Sequence, residues 1–207
     1  MINKKLLTIA KLINKNEIVL DVGCDHAYLP IYLVKNKLCK KVIASDISEG
    51  ALKIASKNIA KENLNIKLYL SDGLNNINEN YDCLVISGMG TKSIISILKD
   101  KKLCNHIILS SNNNLYELRL FMNKIGYKID KEKIIYEKGK YYNIISYYKG
   151  KEYLNKNVLL FGKSYNKQYL KYLLKKEFKI LKKLDLFKRI KKYIYIARIK
   201  RYLKRCN

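Results

Sequence analysis

The chain has 207 residues, 48% of them apolar, and carries 43 Lys+Arg against 17 Asp+Glu, a formal net charge of +26. That is enough chain for one α/β domain and a smaller appendage. No run approaches the roughly 20 apolar residues of a membrane span, and five cysteines without a CxxC pair argue against a disulfide framework or a metal site and for a reducing cytoplasm.

Residues 3–14 put Leu6, Leu7, Ala10 and Ile13 at helical spacing, an amphipathic opening helix whose lysines precede no signal-like apolar run. A first strand is expected over Ile18–Val22 and a helix over Tyr28–Lys37, with Pro30 acceptable in its first turn. A second strand spans Lys41–Ser45, and Ser48 caps a helix reaching about Lys61, with Leu52, Ala55 and Ile59 on one face. A third strand follows at Ile66–Leu70. The fourth, Cys83–Ser87, runs into Gly88-Met89-Gly90, and a helix covers Thr91–Leu98. After a fifth strand at His106–Ser110, a helix over Leu115–Ile125 is closed by Gly126. Two β-rich stretches, Tyr127–Tyr136 and Tyr141–Lys149, are joined at Lys138-Gly139-Lys140. Alternating strands and helices predict a parallel sheet covered on both faces, with an antiparallel hairpin at one edge: a Rossmann-like domain over 1–150.

The composition changes after Gly162. Residues 166–183 place Leu170, Leu173, Leu174, Phe178 and Leu181 on one helical face, and residues 187–204 do so with Phe187, Ile190, Ile194 and Ile199. Lysines fill the opposite faces. Two antiparallel, coiled-coil-like helices are expected, with one long bent helix as the alternative. Residues 151–207 hold 19 Lys+Arg and 3 Asp+Glu, so the tail carries most of the excess charge. A lysine-rich background would spread it evenly; a polyanion-binding tail would concentrate it. Its tyrosines 165, 169, 172, 193, 195 and 202 either stack on exposed bases or pack the hairpin.

Three strands end in an acid: Asp21, just before the turn at Gly23, then Asp46 and Asp72. Carboxylates at the carboxyl ends of parallel strands suit a nucleoside-bearing ligand at the switch point of an open sheet. The ribose hydroxyls, ammonium and adenine amino group of S-adenosylmethionine (SAM) all donate hydrogen bonds. A dinucleotide is disfavoured. From Gly23, the glycine positions of G-x-G-x-x-G fall on Asp25 and Tyr28, and Asp25 would set negative charge beside a pyrophosphate. Asp46 is placed for both ribose hydroxyls or as a helix cap, and Asp72 for the adenine amino group or simply as an Asp-Gly turn with Gly73. Asp25 and His26 either sit at the pocket mouth or cap the helix from Tyr28. Gly88 and Gly90 permit a close wall beside the donor. Asn112, Asn113 and Asn114 either hydrogen-bond a target base or cap the next helix. His106 reads as structural, and two histidines leave a metal site little to build from.

The block Asp21-Val-Gly-Cys-Asp-His-Ala-Tyr-Leu-Pro30, with Gly-Met-Gly after strand four and paired asparagines after strand five, resembles the TrmK family, bacterial tRNA (adenine-N1)-methyltransferases that use SAM on adenine 22 of the D-arm. The resemblance spans nearly the whole chain and includes a C-terminal helical hairpin. It implies a class I SAM-dependent methyltransferase domain, with residues 151–207 a basic tRNA-binding domain. It assigns Gly23, Asp25, His26, Asp46, Asp72 and Gly73 to the cofactor pocket, lined by Gly88 and Met89; Asp21, Cys24 and Ile47 join the set beside them. Asp25, His26 and Asn112 become candidates for catalysis. Two positions depart from the family pattern. Thr91 stands where a second glycine is usual, and Ser110-Ser111 where Gln-Pro usually precedes the asparagines. The implied protein is a cytoplasmic monomer that binds SAM and tRNA and needs neither metal nor membrane. The alternatives are a SAM enzyme acting on another RNA or a small molecule, or a non-catalytic RNA-binding module.

Overall fold

The computed structural model describes residues 2–164 and 166–204, with Leu186, Phe187 and Lys191 by backbone alone. Tyr165, Cys206 and the Phe187 side chain therefore lie outside the described residues. The chain divides into two compact units, Met1–Gly162 and Lys163–Asn207.

The first unit is a seven-stranded sheet of order β3-β2-β1-β4-β5-β7-β6. Its parallel strands are β1 (Ile18–Val22), β2 (Lys41–Asp46), β3 (Lys67–Leu70), β4 (Cys83–Met89) and β5 (His106–Ser111). The hairpin β6 (Tyr127–Glu137) and β7 (Lys140–Lys149) runs antiparallel against β5. Strand order reverses between β1 and β4, the switch point where open α/β sheets bind ligands beyond their carboxyl ends. The central strands are buried on both faces, as parallel sheets require. Val19, Val85 and Ile108 pack to one side, and Leu20, Ile43, Leu84, Ile86 and Ile107 to the other. Each such side chain contributes about 1.5–3 kcal/mol by leaving water.

The helices α1 (Lys4–Ala10), α2 (Tyr28–Lys35), α3 (Glu49–Lys61), α4 (Thr91–Leu98) and α5 (Leu115–Lys124) follow the sequence reading, with local differences. Asn3 caps α1 by accepting from the Leu6 N–H at 2.9 Å. The helix stops at Ala10, short of Asn14, and Leu12 and Ile13 enter the core from a turn instead. Ser48 caps α3 as expected, accepting from the Ala51 N–H at 3.2 Å. Strand β4 runs on to Met89 because Gly88, at φ +91°, makes a bulge that shifts the pairing with β5.

A further helix, α6 (Lys156–Phe161), moves the boundary between units from the expected Gly150 to Gly162. It buries Leu159 and Phe161, and the Leu159 carbonyl accepts from the buried Arg119 guanidinium of α5 at 2.9 Å. The same guanidinium pairs with the buried Glu132 carboxylate of β6 at 2.5 Å. Residues 151–162 thus belong to the first unit.

In the second unit, α7 (Lys167–Leu181) and α8 (Leu186–Lys204) pack together across a short connection, which makes a hairpin and not one bent helix. Asn166 caps α7 by accepting from the Tyr169 N–H at 2.7 Å. The expected face of α7 holds at Leu170 and Leu181, both buried. Phe178 of that face is exposed, and the expected face of α8 holds, among its described side chains, only at Ile199. Ile190 and Ile194 are exposed, whereas Ile196, Ile199 and Tyr202 are buried. Apolar residues occur nearly all round α8, so periodicity alone does not select the inner face.

Candidate functional site

Beyond the carboxyl ends of β3, β2, β1 and β4 lies a cleft of about 960 Å³. Asp21, Gly23, Cys24, Asp25, Asp46, Ile47, Asp72, Gly73, Gly88 and Met89 all line it. The sheet order lays them out in sequence: Asp72 beyond β3, Asp46 on β2, Asp21 and the Gly23 turn on β1, Gly88 and Met89 on β4.

Gly23 has φ +74°, which favours glycine; a Cβ there would also meet the Met89 methyl group, the mobile end of a flexible side chain that would have to shift. The Gly23 and Cys24 N–H groups donate to the Ser45 carbonyl at 2.8 and 2.9 Å, tying the β1 loop to β2. Asp25 follows in a left-handed conformation (φ 51°) and donates its N–H to Asp46 Oδ2 at 2.9 Å; Asp46 Oδ1 accepts from the Ser48 N–H at 3.0 Å. Each Asp46 oxygen keeps lone-pair capacity toward the cleft. Ala27, also left-handed (φ 60°), precedes α2 with no side-chain cap, so neither Asp25 nor His26 is a helix cap. Two strained residues in three hold the Asp25 carboxylate, 71% exposed, at the mouth.

Asp21 is buried at the cleft floor. Burial pushes its carboxyl up to about 7, with Lys5 drawing it down and Asp46 adding to the rise. Burial, with Asp21 and Asp46 close by, also raises the Cys24 thiol far above its ordinary range, so Cys24 is an inert wall and not a nucleophile.

Two expected residues fall outside the wall. His26 lies beside the mouth, its Nε2 3.4 Å from Asp25 Oδ1, its ring edge-on to Tyr28 and its carbonyl accepting from Asn58. Asn112 is exposed and is not among the lining residues. Its side-chain amide donates to the Gly88 carbonyl at 2.6 Å and its backbone N–H to the Met89 carbonyl at 3.0 Å. It buttresses the Gly88 bulge, a positioning role. Asn113 likewise accepts from the Thr91 N–H at 3.0 Å.

The two departures from the family pattern meet. Thr91 Oγ1 lies 2.8 Å from Ser111 Oγ and donates to the Asn113 carbonyl at 2.6 Å, both side chains buried. The hydroxyl pair locks the β4–α4 turn to the β5–α5 loop, and Thr91 and Ser111 compensate one another.

Sequence reasoning missed several wall residues: Asn3, Lys5 and Leu6 of α1, Ser71, Ser87, and Lys92, Ser93, Ser96 and Ile97 of α4. Ser71 and Ser87 stand at strand ends beside Asp72 and Gly88, but no strand-end pattern marks the others; tertiary packing alone brings α1 and α4 to the cleft.

The residues present fit SAM. The Ser87 hydroxyl is buried in the wall without a hydrogen-bond partner, as expected of a group awaiting a polar ligand. The volume suits a nucleoside-sized molecule, and the acids run along the strand ends in the order its amino, hydroxyl and ammonium donors require. A second polar cluster, Glu17, Cys83 and His106, has ligand-type atoms within 4.8 Å of one another, but both His106 nitrogens are already engaged, by Glu17 at 2.8 Å and Ser146 at 3.0 Å.

Comparison with known proteins agrees with this geometry. Residues 2–145 match a family model described as a methyltransferase domain. The curated tRNA (adenine(22)-N(1))-methyltransferase of Bacillus subtilis is 34% identical over 151 residues, 70% of this chain and 63% of that protein. The structure of M. capricolum TrmK in complex with S-adenosyl-homocysteine superposes with a TM-score of 0.87 at 34% identity, covering 99% of this chain and 98% of that one. Sp1610 of Streptococcus pneumoniae, solved with S-adenosyl-L-methionine, gives a TM-score of 0.87 at 32% identity, covering 98% and 100%. The glycine turn, the row of strand-end carboxylates and full-length likeness at one third identity together make this chain a member of the TrmK family of SAM-dependent methyltransferases.

Proposed function

We infer that this protein transfers the methyl group of SAM to N1 of adenine 22 in the D-arm of tRNA. The observation that carries the reading is the ordered row Asp72, Asp46, Asp21 and Gly88 across one cleft, in a chain similar throughout its length to m1A22 methyltransferases.

When bound, SAM supplies an electrophilic methyl group on a sulfonium. Asp72 would accept from the adenine amino group of the cofactor, Asp46 from its ribose hydroxyls and Asp21 from its ammonium. Target N1 presents an in-plane lone pair and no proton, so no residue has to act as a base. The chain supplies alignment and a counter-charge for the cationic product base. We assign that task to Asp25, exposed at the mouth, with His26 beside it orienting the base or the donor. Asn112 keeps the Gly88–Met89 wall in place. Adenine N1 is paired or stacked in folded RNA, so the base must be turned outward to reach the mouth.

Residues 163–207 would hold the tRNA by its phosphates and shape. Among the tail tyrosines described, Tyr172 and Tyr193 are exposed for stacking, while Tyr169 and Tyr202 are buried. No helix among the described residues is long and apolar enough to cross a membrane. With tRNA as substrate and Cys24, Cys39, Cys83 and Cys104 free, we place its work in the cytoplasm, as a monomer.

The test is methyl transfer to tRNA transcripts, read by nucleoside mass spectrometry. N1-methyladenosine is expected with adenine at position 22 and none when that base is replaced. Undiminished product on the replaced transcript overturns the site. A protein ending at Gly162 should bind S-adenosyl-homocysteine but leave tRNA unmodified, and retained modification overturns the role of the tail.

A further inference from the structure

The cleft wall is acidic, with Asp21, Asp25, Asp46 and Asp72 in it, yet SAM brings a carboxylate of its own. An anion entering four aspartates needs a cation to meet it. Two lysines line the cleft. Lys92 is exposed on α4, the helix whose Ile97 packs on Gly73 at the Asp72 end. Lys5 comes from α1 at the opposite end. Its Nζ stands 3.5 Å from where a Cβ on Gly88 would project, and 5.8 Å from the centre of the Tyr142 ring.

The placement of Lys5 is built from two directions. The Glu137 carboxylate, at the tip of the β6–β7 hairpin, accepts from the Lys4 N–H at 2.7 Å and the Lys5 N–H at 3.3 Å, fixing the first turn of α1. Tyr142 of the same hairpin offers its face to the ammonium. Burial lowers the Lys5 pKa, while the charges of Asp21 and Glu137 oppose the fall. No ion pair found among the described residues includes Lys5. A partly desolvated cation, near Asp21 and Glu137 but in close ion-pair contact with neither, sits at one end of a cleft built for a zwitterion.

The sheet order sets which end of the ligand arrives there. With the nucleoside over β3 and β2, at Asp72 and Asp46, the amino-acid portion falls over β1 and β4, where Asp21 and Gly88 line the cleft and Lys5 Nζ approaches the Gly88 bulge. We propose that Lys5 is the carboxylate-binding residue of this pocket, holding the α-carboxylate of the methyl donor while Asp21 takes its α-ammonium. The β6–β7 hairpin thereby positions the donor through Glu137 and Tyr142.

The inference rests on cofactor binding and not on the RNA target, so it is tested without RNA. Calorimetric titrations of the full chain compare S-adenosyl-homocysteine with its decarboxylated analogue, which keeps the ammonium, and with 5′-methylthioadenosine, which lacks the whole amino-acid portion. Lys5→Met should weaken S-adenosyl-homocysteine by about tenfold or more, the loss of one charge-assisted hydrogen bond. It should leave the other two within about twofold, and their retained binding reports an intact fold. Lys5→Arg should restore most of the lost affinity. An equal loss for all three ligands would make Lys5 structural and overturn the proposal. So would unchanged S-adenosyl-homocysteine binding with a raised KM for tRNA, which would make Lys5 a contact to RNA phosphate.

Discussion

The two ends of the parallel sheet carry similar side chains and treat them in opposite ways. At the amino ends, Glu17, His106 and Ser146 form a closed relay: His106 Nδ1 meets Glu17 at 2.8 Å, Nε2 meets Ser146 at 3.0 Å, and the ring stacks on Tyr148 at 4.3 Å. At the carboxyl ends, Asp21 is buried without an acid–base partner of that quality, the Ser87 hydroxyl has none, and Asp25 stands strained and exposed. The first end spends its polar groups on stability, and the second holds them in reserve for a ligand. Residue type does not separate a functional end from a structural one; the degree of polar satisfaction does.

Asp21 should show the largest effect. Its pKa is about 3.8 unfolded and about 7 folded. Between those values the folded protein binds more protons than the unfolded chain, so this group costs stability progressively as pH rises. Asp21→Asn should stabilise the protein at pH 8 by on the order of 3 kcal/mol, with the gain fading towards pH 4, while cofactor affinity falls. Urea melts across that range, paired with calorimetry, check both. A destabilised variant at pH 8 would break the contrast between the ends.

Glu17 should behave in the opposite sense. Burial pushes its carboxyl up, but His106 and Asn14 outweigh it and hold the group below its ordinary value. The stabilisation is present above the unfolded pKa and is lost as pH falls through the folded one. Glu17→Gln should cost about 2 kcal/mol at pH 7, lose that difference in acid, and leave S-adenosyl-homocysteine binding unchanged. Asp46→Asn should do the converse, weakening S-adenosyl-homocysteine about tenfold in a titration while changing the unfolding free energy from urea melts by less than about 1 kcal/mol. The smallest effect belongs to the hydroxyl lock. A double-mutant cycle of Thr91→Val and Ser111→Ala, read by urea denaturation, should give a coupling of about 1 kcal/mol; additivity would mean that the two departures from the family pattern are independent.

Much of this was legible in the sequence, because strand ends announce themselves. An apolar run closing in an acid marked Asp21, Asp46 and Asp72, and Gly23 and Gly88 marked the turns that approach the ligand; all five line the cleft. Lys5 was not legible. A lysine on a short amphipathic helix looks like any solvated one until the Glu137 carboxylate and the Tyr142 ring, more than 130 residues away in sequence, fix where it points. Asn112 was ambiguous for a related reason, since side-chain amides serve a base or a backbone carbonyl equally well; in the structure its amide meets the Gly88 carbonyl. The short α6 holds one unbroken apolar run, Val158–Phe161, in a helix too short to show a period.

Gly162 sits against Glu132 so closely that any side chain there would collide with the carboxylate that receives Arg119. The last turn before the basic helices is therefore soldered into the methyltransferase core by a buried ion pair. Helical tails exchanged between relatives should be joined at Lys163. A graft made at Gly150 would remove the carbonyl of Leu159 from under the guanidinium and damage the host before the new tail met any RNA.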